Sequence, residues 1–406
     1  MNSANNDKSN NWMLPINIVN LLFNTVTIIP FVIIPLYATT VLGASLFQAS
    51  LIAGTFFGVN AVTAIIMGSL SDIMGKRKPF LIFSLFGSAV IFLIISFIAL
   101  PVTLILLMGL FGFIAAGFSP CAMGMVSEYS EPGEKGKNLG YLNSGTSLGW
   151  AVGSFSSGTI TELFSFAMTF YFGCMLAVLA AVLTIIFLRE TKTDIVKERN
   201  FSKIILALKN RFIPKSGEST YLKEKGLSWF YISLFFRYSA YWGSFALLSI
   251  FFATIVSTTW VGILIAINLG ISALIMSPVG KFSDMKGRKI IIMFGLIGTS
   301  IVLVMYATSY SLILLIIAQV LNAFVFASIY TGGSAFVSDV APSASHNEAM
   351  GYLNSAITFG AVTGTLIAGI MAEIFGLRIM FLILAILPII GAVIVLSKVS
   401  ETISSS

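Results

Sequence analysis

The segment GYLNSGTSLGWAVGSFSSGTITELF, residues 140–164, returns as GYLNSAITFGAVTGTLIAGIMAEIF at residues 351–375, a shift of 211. Five residues are identical at the start, and Gly149, Gly153, Gly158 and Glu162 fall on Gly360, Gly364, Gly369 and Glu373. Working outward, Ser127-Glu128 matches Ser338-Asp339 at the same shift, and GSLSDIMGKR from Gly68 matches GKFSDMKGRK from Gly280 at 212. A repeat this long means two copies of one structural unit.

Each copy is built from apolar runs. The chain is 57% hydrophobic and only 10% charged, whereas a soluble domain carries roughly 25% charged residues. Runs long enough to cross a bilayer as helices, about 20 residues each, fall at 13–38, 47–70, 79–100, 102–126, 139–161, 165–188, 228–252, 259–280, 289–309, 312–336, 350–375 and 378–398. The expectation is an all-α polytopic membrane protein of twelve spans. Its two six-helix bundles (13–188 and 228–398) are joined by a basic linker (189–227) and flanked by tails 1–12 and 399–406. The first run carries Asn17, Asn20 and Asn24 and lacks a cleavage pattern, so it is expected to remain as a span. Cys121 and Cys174 both fall inside runs, which argues against a disulfide framework.

The net charge of +7 reports orientation rather than a nucleic-acid partner. With the N-terminus inside, every one of the 23 Lys/Arg except Arg237 and Arg378 falls on the cytoplasmic side, which is the positive-inside bias. Both termini are therefore expected in the cytoplasm, with the protein in the plasma membrane as a monomer among lipids. Within the linker, FSKIILALKNRF (201–212) has apolar residues at helical spacing between basic ones. It reads either as a solvated charged segment or as a helix on the anionic leaflet.

The GK of GSLSDIMGKRK (68–78) is not a phosphate-binding loop: six residues separate the two glycines, and Arg77 stands where a hydroxyl is required. No metalloprotease or serine-nucleophile motif is present, so an enzyme is not expected, and neither is a metal or cofactor. The shift keeps inside loops inside, giving parallel halves about an axis along the membrane normal. On these grounds the chain resembles the major facilitator superfamily across residues 13–398. That family's loop motif, G-x-L-x-D-x-x-G-R/K-R/K, reads here Gly68, Leu70, Asp72, Gly75, Lys76, Arg77. A second copy reads Gly280, Asp284, Gly287, Arg288, Lys289.

Gly68 suits a close helix approach, Gly75 a tight turn, and Asp72 a charge-assisted bond. Glu128 and Asp339 end spans 4 and 10 on the same side and are natural partners for the cations. The resemblance implies that this network latches an inner gate; the alternative is that the cations serve topology alone. The span-5 signature G-P-x-x-G-G of some exporters in the family is GSFSSG here. An arginine common in span 4 is replaced by Met108.

No acid lies in the middle third of a run. His346 reads as a loop residue. Arg237 stands about ten residues into span 7, roughly 15 Å deep, where a cation costs on the order of 3 kcal/mol and should face the interior. Tyr241 and Ser244 continue its face. Asn20, Asn24, Asn60, Asn268, Gln319 and Asn322 reach similar depth, either as a solute site or as interhelical hydrogen bonds. The expectation is a secondary transporter of a small organic solute by alternating access, with a lean toward an organic anion held by Arg237. A drug-like compound exporter and a sensor without transport are the alternatives.

Overall fold

A computed structural model describes residues 12–131, 133–190, 219–342 and 345–402. The tails beyond those limits and the expected surface helix at 201–212 lie outside them. The described residues form twelve helical rods, a short 3-10 segment (Ser219–Gly226) ahead of the seventh, and no strand. The first half contains α1 (Met13–Thr40), α2 (Leu46–Met74), α3 (Lys78–Ile95), α4 (Pro101–Ala115, then Phe118–Tyr129), α5 (Lys135–Leu163) and α6 (Phe166–Phe187). The second contains α7 (Leu227–Ala253), α8 (Thr258–Lys286), α9 (Arg288–Thr308), α10 (Leu312–Val340), α11 (His346–Phe375) and α12 (Leu377–Leu384, then Ile386–Lys398). The chain is a polytopic α-helical membrane protein. Ten rods are long and apolar enough to cross a membrane; of the other two, α5 is rich in glycine and hydroxyl residues, and α7 carries Arg237 with several serines and tyrosines.

Several helices outrun their apolar stretches, because turns closed by backbone hydrogen bonds continue past the hydrocarbon. Thus α2 reaches Met74, α8 Lys286 and α10 Val340 rather than 70, 280 and 336. Conversely, α3 stops at Ile95 instead of 100, ahead of Pro101, which opens α4; a residue preceding proline disfavours the helical region. At the start of α2, Ser45 and Gln48 form a reciprocal capping box. Gly75 ends the same helix in the left-handed region at φ 59°, where a side chain would be strained.

Packing repeats between the halves: α1 lies along α5 as α7 lies along α11, and α3 against α6 as α9 against α12. The glycine ladder sets the first pairing. A Cβ at Gly153 would press on the Thr25 carbonyl, and one at Gly364 on the Ser239 carbonyl. Backbones this close gain dispersion contact that lipid cannot supply.

The halves meet through α2 with α11 and α5 with α8. These seams are tight at the end opposite the basic loops. There Gly158 faces Gly262, and Gly369 faces Ser50. Two carboxylates cross the divide. Glu162 of α5 accepts a hydrogen bond from the Thr259 amide at 2.5 Å, in the first turn of α8. Its repeat counterpart Glu373 of α11 accepts one from the Phe47 amide at 3.1 Å, in the first turn of α2. First-turn amides have no acceptor within their own helix, and the helix dipole favours an anion there. At the basic end, a Cβ placed on Gly136, Gly140, Gly280 or Gly351 would meet nothing within 4 Å. The halves are closed at one end and parted at the other.

Two outcomes test this architecture. Gly364→Val should lower the melting temperature of the purified protein, since overpacking costs typically about 1–3 kcal/mol, whereas Gly280→Ala should leave it unchanged. The pair Glu162→Gln and Glu373→Gln should loosen the closed end. Spin labels at Val41→Cys and Ile313→Cys, with Cys174 replaced by Ser, should then show a severalfold gain in the longer-distance population. An unaltered distance distribution would remove the role given to the two carboxylates.

Candidate functional site

Between the halves lies a cavity of about 300 Å³. From the first half come Phe23, Phe31, Phe56, Phe57 and Trp150; from the second, Tyr238, Tyr241, Trp242, Phe245, Phe326 and Tyr330. Rings meet across the divide, Phe57 with Trp242 at 4.7 Å and Phe31 with Phe245 at 6.4 Å between centroids. They form a ceiling toward the closed end. Polar groups are few and uncharged: Asn24, Thr27, Asn60, Ser119, Asn143, Thr146 and Ser147. Among the described residues, no ionised side chain lines the wall. Such a surface can stack flat rings and offer isolated hydrogen bonds.

Of the side chains expected along a solute path, Asn24, Asn60 and Tyr241 line this cavity, and the others do not. Asn20 is turned into the α1–α5 seam, donating to the Leu142 carbonyl at 2.8 Å and the Thr146 hydroxyl at 3.0 Å. Asn24 also donates to the Asn20 carbonyl at 2.7 Å, and Asn60 to the Gly112 carbonyl at 3.0 Å. Asn268 donates to the Gln319 carbonyl at 3.4 Å, and Asn322 to the Tyr306 hydroxyl at 3.3 Å, both inside the second bundle. Gln319 is buried beside them. The side-chain amides of Asn20, Asn60, Asn268 and Asn322 pin helices together, because in hydrocarbon an amide takes whatever acceptor a neighbouring helix presents, whereas the Gln319 amide is buried with no partner among the described residues.

Arg237 faces the bundle interior, with no exposed surface, but it stands behind the cavity wall. Its guanidinium carbon lies 4.6 Å from the Tyr238 ring and 4.5 Å from the Tyr241 ring, so the two wall tyrosines screen it. The aromatic lining was the part missed from sequence. Phe56-Phe57 and Tyr241-Trp242, at matching depth in spans 2 and 7, were the available signal.

The loop-motif residues gather into two clusters at the basic end. In the first, Arg77 pairs with Asp72 at 2.8 Å and Glu128 at 2.7 Å. Partial burial pulls its pKa down, but the hydrogen bonds it donates to Glu128 and the charges of Glu128 and Asp72 carry it above the ordinary value. In the second, Arg288 pairs with Asp284 at 2.5 Å and Asp339 at 2.9 Å. Each cluster has an acidic member that sequence reading overlooked. Glu190 accepts from the Arg77 and Lys78 amides at 2.6 and 3.2 Å, and Glu401 from the Arg288 and Lys289 amides at 2.8 and 3.0 Å. The signal was present, since the two glutamates are again 211 apart.

All members of a cluster belong to one half, so in this conformation the ion pairs bind helices within a bundle. Gly68 likewise meets Pro120 of α4 in its own half, 3.3 Å from a Cβ placed there, and Gly280 faces open space. Gly287 turns the chain at φ 100° against Glu401. Lys76 is exposed and makes no ion pair among the described residues. His346 is the first residue of α11.

Comparisons with known proteins agree with this picture. The family model described as Major Facilitator Superfamily matches residues 16–277 and 230–405. An uncharacterised MFS-type transporter of Methanocaldococcus jannaschii is 28% identical over 365 residues, covering 89% of this chain and 91% of that protein. The multi-drug resistance efflux pump PmrA of Streptococcus pneumoniae is 26% identical, covering 87% of each. Among solved structures, the nucleoside transporter NupG superposes with a TM-score of 0.77 at 14% identity, over 96% of this chain and all of the other. A POT family transporter does so with a TM-score of 0.77 at 12% identity, over 95% of each; both likenesses concern the fold. The repeat, the two clusters, the central cavity and the family match together place this chain in the major facilitator superfamily, as a non-enzymatic secondary transporter.

Proposed function

We propose that the chain exports amphipathic, ring-bearing organic compounds, neutral or cationic, by alternating access. The observation that carries this reading is the cavity wall, a set of stacked and tilted aromatic rings with no ionised group. A volume of about 300 Å³ is at the lower end for a drug-sized ligand. The efflux-pump names of several relatives, PmrA among them, point the same way. The organic anion suggested by Arg237 would reach the guanidinium only after Tyr238 and Tyr241 swung aside, which makes it the second reading.

The orientation follows from charge: the basic end lies in the cytoplasm, with both termini, in the plasma membrane. The cavity then opens inward and the Glu162 and Glu373 contacts shut the outer door. The clusters around Arg77 and Arg288 are the inner-gate machinery, bracing each bundle as it rocks. A single chain supplies both walls of the cavity, so the transporting unit is a monomer.

Ethidium extrusion from proteoliposomes containing the purified protein tests the substrate class. Aromatic–aromatic contacts are worth about 0.5–1.5 kcal/mol each, so Trp242→Ala and Phe57→Ala should each weaken apparent ethidium affinity by roughly 2–10-fold. Transport of a small aromatic carboxylate instead, lost in Arg237→Gln, would establish the organic-anion reading in its place.

A further inference from the structure

The polar groups of the cavity are not spread evenly over its two walls. Asn24, Thr27, Asn60 and Thr146 all come from the first bundle. The second bundle contributes rings and aliphatic side chains, with neither an amide nor a serine or threonine hydroxyl among the described lining residues.

What the four first-bundle groups present is decided by where their protons already go. Asn24 Nδ2 donates to the Asn20 carbonyl at 2.7 Å and to Asn20 Oδ1 at 3.0 Å. Asn60 Nδ2 donates to the Gly112 carbonyl at 3.0 Å, which holds that nitrogen against α4. A carbonyl can only accept, so each bond fixes the orientation of the amide and turns its Oδ1 the other way. The hydroxyls of Thr27 and Thr146 donate to the Asn24 and Leu142 carbonyls at 3.1 and 3.2 Å. Among the described residues neither Oδ1 accepts a hydrogen bond, and neither is enclosed as the unpaired Asn17 Oδ1 is. Their open surface lies in the cavity that the two residues line.

The opposite wall is backed by positive charge. The Arg237 guanidinium carbon stands 4.6 and 4.5 Å from the Tyr238 and Tyr241 rings, and Nη1 and Nη2 have no acceptor among the described residues. A field is weakly screened in a low-dielectric interior, so a cationic group in the cavity is driven from the second wall toward the first.

We infer that Asn24 and Asn60 set substrate specificity, selecting ring-bearing compounds that carry a protonated amine. The ammonium N–H donates to a side-chain oxygen of the first wall while the ring lies against the second. Ser119, Asn143 and Ser147 of the first wall can turn either a proton or a lone pair inward and so do not discriminate. The inference rests on the export of ring-bearing compounds proposed above and narrows it to N–H donors.

Equilibrium dialysis with the purified full-length protein in detergent tests it, using naphthylethyl-dimethylamine, protonated at neutral pH, and its N-methyl quaternary salt. The two probes share ring and charge and differ by one N–H. The wild type should bind the protonated amine roughly tenfold more tightly, the effect of one hydrogen bond to a charged group. Asn24→Leu and Asn60→Leu should each shrink that ratio severalfold, and the double variant should bring it near one. A merely structural role would weaken both probes alike and leave the ratio standing. An undiminished ratio in either single variant would overturn the inference, and if Asn60→Leu does not fold, Asn24→Leu decides alone. Equal binding of both probes by the wild type would overturn it while the export reading stands; binding of neither would overturn both.

Discussion

A charge is expensive in hydrocarbon, and that cost governs where this protein places its ionic bonds. The described carboxylates are confined to helix ends and loops. Strong electrostatic ties are therefore available only at the two faces of the membrane, and the middle must be held by other means. Small residues there let backbones touch, as at Gly153 and Gly364, and asparagines bridge neighbouring helices, as Asn20 does between α1 and α5. A solute chamber built in such a middle is lined with rings and neutral amides.

The ties at the two faces differ in kind. At the basic end they are guanidinium–carboxylate clusters, each inside one bundle. At the opposite end they are single carboxylates reaching from one bundle to a helix start of the other. The first kind makes each bundle stiff, and the second holds the bundles against one another with few bonds. A transporter needs both properties, since rigid units separated by a weakly held seam can exchange one opening for another.

Much of this was legible in the sequence because a repeat constrains it twice. The twelve spans, the correspondence of Asp72 with Asp284 and the basic end followed from hydropathy and from shifts of 211 and 212. Chemistry also singled out Arg237 as facing inward. Sequence reading could not separate the front of a wall from its back. Asn24 and Asn20 share a helix face, yet only Asn24 reaches the chamber, because one turn along α1 the seam with α5 closes. Nor did spacing show that Tyr238 and Tyr241 would lie over the guanidinium, since a neighbouring residue and one four places on both cover it only through the particular rotamers chosen. The capping roles of Glu162, Glu190, Glu373 and Glu401 escaped because each acts on a helix start remote in the chain.

Glu401 belongs to the segment after the last span, yet it is woven into the second bundle. Its carboxylate serves the start of α9, Lys225 Nζ donates to its carbonyl at 2.8 Å, and the Ser400 amide donates to the Lys225 carbonyl at 3.0 Å. The stretch after α12 is thus a buttress joining the end of the inter-bundle linker to the turn before α9. Trimming the chain ahead of Glu401, or fusing a bulky reporter there, would uncap α9 and untie the linker in a single step. Tags for purification or imaging are better carried at the N-terminal end.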